Sequence, residues 1–175
     1  PHAPATPAAR IENGITVIAI GHASVLVQTG GLNILVDPVW SRRMSPLTFA
    51  GPRRVNDPGI RFEDLPKIDL VLVTHNHYDH MDIATLRRLV TAHDPLVVTP
   101  PGNDTIMARA VPAMRCTVID WGETAHVDAI AVHAEPSHHW SARGTRDRRH
   151  ALWAAFMIEG PAGLIYHVGD TGFHH

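Results

Sequence analysis

Three histidines and two aspartates lie within eight positions in the middle of the chain, in the segment His75–Asp82. The residues directly before them, Asp69–Thr74, are aliphatic and β-branched and predict a short buried strand. Neutral imidazole and carboxylate groups both donate lone pairs, and together they bind zinc or iron. The segment therefore indicates a metal site at the carboxyl end of a strand.

The spacing within this segment further suggests two ions. His75 and His77 fall on the same face of an extended chain and can bind one ion together. Asp79 and His80 follow a bend, point elsewhere, and suit a second ion beside the first. The alternative is a solvated histidine-rich loop without a metal.

The rest of the chain predicts a mixed sheet covered by helices. Three strands open it as a meander, with a tight turn at Gly30-Gly31, and an amphipathic helix begins after Asp82 as its N-cap. Strand, helix and strand alternation then continues, with Asn103 or Asp104 capping the second helix. The predicted strands are 15–20, 23–28, 32–36, 69–74, 96–99, 116–119, 125–127, 129–134, 151–158 and 164–168.

Other polar residues stand close to these elements. His22 lies between the first two strands, where it is either a packing residue or close to the metal. Asp37 ends the third strand, and such a carboxylate commonly accepts a hydrogen bond from a metal-bound histidine. The long loop 39–66 combines Trp40 with Arg42 and Arg43, which would suit an amphiphilic phosphate ligand or a merely solvated loop.

Two later segments add further candidates. His138 and His139 are adjacent, and their spacing alone does not choose between them as a ligand. Asp170 lies in a Gly-Asp-Thr-Gly turn, which by itself is weak evidence for a site.

The motif His75-x-His77-x-Asp79-His80 resembles that of the metallo-β-lactamase fold, in the branch of N-acyl-phosphatidylethanolamine-hydrolysing phospholipase D and its bacterial relatives. Further segments that agree are 20–24, 37–41, 51–54, 139–141 and 169–172. The resemblance implies an α/β (α+β) fold, the αββα sandwich, over residues 15–175. The Pro/Ala-rich composition of residues 1–14 predicts a flexible arm before it. The chain would cover the N-terminal half of the sandwich plus the turn with Asp170.

The resemblance also implies a ligand set. His75, His77 and His139 would bind one metal, Asp79 and His80 the other, and Asp170 would bridge them. Asp79 and Asp170 would be the catalytic carboxylates, with Asp37 and His22 supporting the ligands and Trp40, Arg42 and Arg43 contacting substrate. The last ligand of the second metal would be a histidine well downstream of Asp170, and the sequence ends five residues after it. His174 and His175 do not match that position.

The composition argues against three features in this chain, namely bulk attraction to nucleic acid, a membrane span and an intrachain disulfide. With 15 basic and 17 acidic residues the formal charge is −2, so no bulk attraction to nucleic acid is expected. No run of apolar residues is long enough to span a bilayer. Cys116 is the single cysteine, which excludes an intrachain disulfide, and its apolar neighbours predict a buried thiol. The compartment is left open, with a soluble or membrane-peripheral protein favoured.

The sequence thus predicts a binuclear hydrolase. The resemblance implies a phosphodiesterase of phospholipase D type that acts on N-acyl-phosphatidylethanolamine-like lipids through a metal-bridged hydroxide. Zinc is the expected cofactor, with two ions in a complete domain and iron or manganese as alternatives. A sugar-phosphate lactonase on the same fold, or an incomplete metal-binding module, is the competing interpretation. Expected partners are a lipid or small phosphodiester, a C-terminal remainder of the polypeptide and a membrane surface.

Overall fold

The computed structural model describes residues 4–47 and 49–173, so His174 and His175 lie outside the described residues. The described part contains two sheets and two α-helices. The first sheet comprises β1 (Ile15–Gly21), β2 (Ser24–Thr29), β3 (Leu32–Val36), β4 (Leu70–Leu72), β5 (Leu96–Thr99) and β6 (Arg115–Val118). The second comprises β7 (Thr124–Val127), β8 (Ile130–Glu135), β9 (Ala155–Gly160) and β10 (Gly163–His167). The helices are α1 (Ile83–His93) and α2 (Asn103–Ala110), and a 3-10 turn spans Phe62–Asp64.

The first sheet changes direction at β3. Strands β1, β2 and β3 pair antiparallel, whereas β3, β4, β5 and β6 are parallel neighbours. Both residues of the β2–β3 turn, Gly30 and Gly31, have positive φ (54° and 74°), which explains the Gly-Gly pair. Because β3 and β4 are parallel, their carboxyl ends meet at one edge, and this brings Asp37 beside Thr74. The first candidate metal ligand, His75, comes directly after Thr74 in the sequence.

The side chains pack in two layers, one on each face of the first sheet. The layer between the sheets includes Ile34 and Leu72 from the first sheet and Phe156 from the second, all fully buried. The layer on the opposite face joins Leu35 to Leu86 of α1 and Met107 of α2. Alternate residues of each strand therefore serve two cores. This helix–sheet–sheet order confirms the predicted α+β fold class.

The two helices are capped differently at their N-termini. Asp82 caps α1, since its carboxylate accepts hydrogen bonds from the backbone N–H groups of Ala84 and Thr85, as predicted. The predicted cap of α2 is wrong. Gly102 occupies the N-cap position with φ +86° and Asn103 instead donates its side-chain amide to carbonyls outside the helix.

The N-terminal segment contains neither helix nor strand in its described part, residues 4–14. It nevertheless lies against the first sheet, because the carbonyls of Ala8 and Ala9 accept hydrogen bonds from Gln28 and Asn33. Arg10 adds an ion pair with Asp69 at 2.9 Å. These contacts attach the segment to the domain.

The predicted burial of Cys116 is wrong, and its side chain is exposed. It lies on β6, one of the two edge strands of the first sheet. A strand with a neighbour on one side only leaves its side chains less covered than a central strand does. None of the helices in the described part is long and apolar enough to cross a bilayer.

Candidate metal centre

Four candidate ligands converge at the carboxyl edge of the first sheet. They are His75, His77, His139 and Asp170, whose donor atoms all lie within 4.8 Å of one another. His75 and His77 follow β4, while His139 and Asp170 follow β8 and β10 respectively, so both sheets contribute. The structure thereby brings together the residues that the resemblance assigned to one metal and its bridge.

Three ring nitrogens of this group form a triangle that hydrogen bonding cannot satisfy. His75 Nε2 lies 2.8 Å from His77 Nδ1, and His139 Nε2 lies 3.2 Å from each of them. Each imidazole nitrogen offers one proton or one lone pair, so three of them cannot all pair with one another. Ligands at zinc–nitrogen distances and tetrahedral angles are about 3.3 Å apart. The triangle therefore fits a shared cation.

A second group lies beside the first and consists of His22, Asp79 and His80. His22 Nε2 is 3.0 Å from the Asp79 carboxylate, and the His22 and His80 ring centroids are 5.3 Å apart. His22 sits in the β1–β2 turn with φ +49°. The prediction gave it a supporting position behind the ligands, whereas the structure places it among the possible ligands themselves.

Asp170 connects the two groups. One carboxylate oxygen lies 3.2 Å from His80 Nε2 and the other 3.5 Å from His139 Nε2. Its segment is held next to that of His139, because the Gly172 N–H donates to the His138 carbonyl and the Ser137 hydroxyl donates to the Asp170 carbonyl. With one oxygen toward each group, Asp170 could contribute a ligand atom to a cation held by either group.

Asp37 lies behind both groups and is fully buried. It accepts hydrogen bonds from His80 Nδ1 at 2.7 Å, from the Thr74 hydroxyl at 2.7 Å and from the Thr74 backbone N–H at 2.8 Å. His75 Nδ1 in turn contacts the Thr74 hydroxyl at 2.9 Å. Since that hydroxyl donates to Asp37, it accepts from His75. In their neutral forms both rings would thus keep a proton on Nδ1 and leave the Nε2 lone pair available to a cation.

Burial and neighbouring charges prepare these groups for metal. Burial, and then the neighbouring His80, lower the pKa of His75 to about 2, so its ring is neutral. Burial also lowers the pKa values of His77 and His139. Burial alone would raise the pKa of Asp37, but His80 and His167 hold it well below its usual range. Burial alone would lower the pKa of His80, but Asp37 raises it, so His80 would release a proton on binding a cation. His75, His77, His139 and the ionised Asp37 already have the forms that metal binding needs.

His167 is a residue of this network that the sequence did not reveal. Its Nε2 is buried and lies 3.7 Å from the Asp37 carboxylate, and no partner within hydrogen-bond distance is present among residues 4–47 and 49–173. It ends β10 on the same face as Ile165, which packs into the core between the sheets. The alternation of side chains along the strand indicates that His167 points inward, but nothing in the local sequence links it to Asp37.

The residues predicted to contact substrate lie in different surroundings. The Trp40 ring packs edge-to-face on Phe62 and its indole N–H donates to the Ile60 carbonyl, so these contacts give it a packing role. Arg42 and Arg43 line a pocket of about 400 Å³ that Tyr78 and others also line.

The aromatic side chain that does contact the histidines is Trp140. Its ring centroid is 4.5 Å from that of His77, and 37% of the residue is exposed. It also lines a pocket of about 600 Å³ together with His139 and Asp170. The sequence pointed to the tryptophan of the long loop because an aromatic next to arginines was the visible pattern, whereas Trp140 is brought to the site by its neighbour His139.

Sequence comparison finds relatives that match over most of this chain. The chain is 36% identical over 160 residues to an uncharacterised protein of Mycobacterium tuberculosis, which covers 91% of this chain and 43% of that one. It is 34% identical over 171 residues to N-acyl-phosphatidylethanolamine-hydrolyzing phospholipase D 1 of Caenorhabditis elegans, covering 93% of this chain and 48% of the relative. The chain thus spans less than half the length of these relatives.

A solved structure shares the fold. Igni18, a metallo hydrolase from Ignicoccus hospitalis, superimposes with a TM-score of 0.65 at 21% identity, over 91% of this chain and 62% of that one. The family model described as the beta-lactamase superfamily domain matches residues 32–175, which include every candidate ligand except His22. The chain therefore belongs to the β-lactamase superfamily.

Proposed function

We propose that this chain supplies the metal centre of a hydrolase that cleaves phosphodiester bonds in N-acyl-phosphatidylethanolamine-like lipids. The observation that carries the proposal is Asp170, which presents one carboxylate oxygen to each of two adjacent groups of histidines. Two neighbouring cations can activate a water and stabilise the attacking and leaving oxygens of a phosphoryl displacement. Zinc is the first candidate, because nitrogen donors predominate in the first group.

The residues of this chain have separate parts in such a reaction. His75, His77 and His139 would bind one cation, and His22, Asp79 and His80 would contribute to the other. Asp37 would orient two of these ligands, His80 directly and His75 through the Thr74 hydroxyl. The open pocket beside Trp140 leaves room for a substrate next to the ligands.

The phosphodiester rather than lactone substrate rests on the arginine-lined pocket and on the name of the nematode relative. Arg42 and Arg43 line a pocket together with Tyr78, which lies between the candidate ligands His77 and Asp79 in the sequence. This pocket is separate from the one beside Trp140, so an extended substrate would have to reach both. A guanidinium fork matches the oxygens of a phosphate. A sugar-phosphate lactonase would need the same metal ligands, and its substrate's phosphate would also suit the positively charged arginines. The two substrates must therefore be compared directly.

The test is a substrate comparison on the purified, zinc-reconstituted protein. We expect turnover of bis(4-nitrophenyl) phosphate and of N-acyl-phosphatidylethanolamine in mixed micelles. Replacement of both Arg42 and Arg43 by alanine should reduce the lipid reaction more than the small-substrate reaction. Arg61→Ala is the matched control, since Arg61 is an exposed arginine paired with Asp64. Turnover of lactones without phosphodiester cleavage would contradict the proposal, and absence of any bound metal would leave only a non-enzymatic module.

A further inference from the structure

Arg143 contacts the metal-binding loop from outside the ligand set. One of its terminal nitrogens, Nη1, donates hydrogen bonds to the carbonyl of Asn76 at 2.9 Å and to that of Met81 at 2.8 Å. These two carbonyls lie at opposite ends of the loop that carries His77, Asp79 and His80. Both residues are buried, with exposures of 1% and 0%. A single guanidinium nitrogen therefore joins the two ends of the loop.

The loop has little other backbone hydrogen bonding of its own. The His77 carbonyl accepts from the N–H groups of His80 and Met81, which forms one turn. A buried carbonyl that is left without a hydrogen-bond donor destabilises the fold. Arg143 satisfies two of them with a charged donor, and hydrogen bonds to charged groups are stronger than neutral ones.

Arg143 is itself fixed by the same loop. Its guanidinium carbon lies 4.0 Å from the centroid of the Tyr78 ring, and the Tyr78 hydroxyl donates to the Arg143 carbonyl at 3.1 Å. Asp147 accepts from the backbone N–H groups of Arg143 and Gly144. Burial lowers the pKa of Arg143, yet an arginine stays charged at neutral pH. The contacts are reciprocal, so loop and arginine restrain each other.

We infer that Arg143 is a positioning residue that holds the loop of residues 76–81 in the shape required for His77, Asp79 and His80 to bind metal. The inference rests on the metal centre of the proposed function, but it concerns a residue outside both ligand groups. Lysine could not replace it fully, because an ammonium lacks the planar group that stacks on Tyr78 while donating to two carbonyls. The loop that follows His139 would thus control the geometry of ligands contributed by another part of the chain.

The test compares Arg143→Met and Arg143→Lys with Arg87→Met in the purified protein. Arg87 is a matched control because it also donates to a backbone carbonyl, that of Ala110, on the outside of the helices. Zinc affinity is measured by competition with a chromophoric chelator, and cobalt(II) substitution reports the ligand geometry by its visible absorption. Supporting residues of metal ligands typically contribute 10- to 100-fold in affinity. We expect a loss in this range for Arg143→Met, a smaller loss for Arg143→Lys, and none for Arg87→Met.

Hydrogen exchange of the metal-free protein gives a second readout that does not depend on bound metal. The backbone amides of residues 76–81 should exchange faster in Arg143→Met than in the wild type, and unchanged in Arg87→Met. Should Arg143→Met fail to fold, Tyr78→Leu removes the stacking surface and should produce the same local exchange and a weaker form of the metal defect. Unchanged zinc affinity and unchanged exchange in a folded Arg143→Met protein would overturn the inference. Failure of the wild type to bind zinc would instead contradict the proposed function.

Discussion

Replacing Asp37 by alanine should weaken the fold and the metal centre together. The substitution removes an acceptor from three buried donors, the Thr74 N–H, the Thr74 hydroxyl and His80 Nδ1, at 2.7–2.8 Å. Removing one partner of a buried, hydrogen-bonded charge pair costs about 3–5 kcal/mol. For a domain of this size, each kcal/mol corresponds to about 2–4 °C in Tm, so we expect Tm to fall by about 6–20 °C. Zinc affinity should fall by about 10- to 100-fold.

The assay is thermal unfolding of the metal-free protein, followed by chelator competition for zinc. Asp69→Asn is the matched control, because Asp69 also accepts a backbone hydrogen bond, from the Asn33 N–H, but lies away from the ligands. The control should lose stability without losing zinc affinity. Equal zinc affinity in wild type and folded Asp37→Ala protein would refute the reasoning that Asp37 orients His75 and His80.

Two further predictions concern the same network. Gly169 has φ +64°, and a Cβ added there would lie 3.1 Å from Thr74 Cγ2, whereas Gly122 has φ +81° with open space around it. Gly169→Ala should therefore weaken zinc binding by displacing Asp170, while Gly122→Ala should show only the backbone cost of about 1–3 kcal/mol in denaturant unfolding; equal zinc affinity in both variants would contradict this. Because the pKa of Asp37 is lowered in the folded protein, its stabilisation is present above its ordinary pKa of about 4 and is lost as the pH falls further. The free energy of unfolding of the metal-free wild type should then decrease from pH 5 to pH 3 more steeply than that of Asp37→Asn; parallel slopes would contradict the assignment.

Local patterns were sufficient to predict most of the elements. Short runs of aliphatic and β-branched residues predicted the strands, and Asp82 before an amphipathic run predicted the start of α1. The N-cap of α2, which was predicted wrongly, shows the limit of such reasoning. Gly102 takes the N-cap position because its Cβ-free backbone lies close to Ala151, a neighbour 49 residues away in the sequence, and no local pattern indicates that approach.

The candidate site likewise contains residues that the local sequence indicates and residues that only the fold brings together. His75, His77, Asp79 and His80 are adjacent in sequence, so their chemistry was visible without a fold. His22 and Arg143 reach the site through tertiary packing, and neither could be assigned its contacts from spacing. Trp40 was predicted to contact substrate because it neighbours arginines in sequence, yet its ring packs against Phe62.

The most direct test of the metal centre is the metal content per chain of the zinc-reconstituted protein, determined by elemental analysis for the wild type, His139→Ala and His138→Ala. His139 Nε2 lies within 3.2 Å of the donor atoms of His75 and His77, whereas His138 belongs to neither ligand group among the described residues. We predict zinc in the wild type and in His138→Ala, and a clear loss in His139→Ala. Equal zinc content in all three proteins, or none in the wild type, would contradict the account.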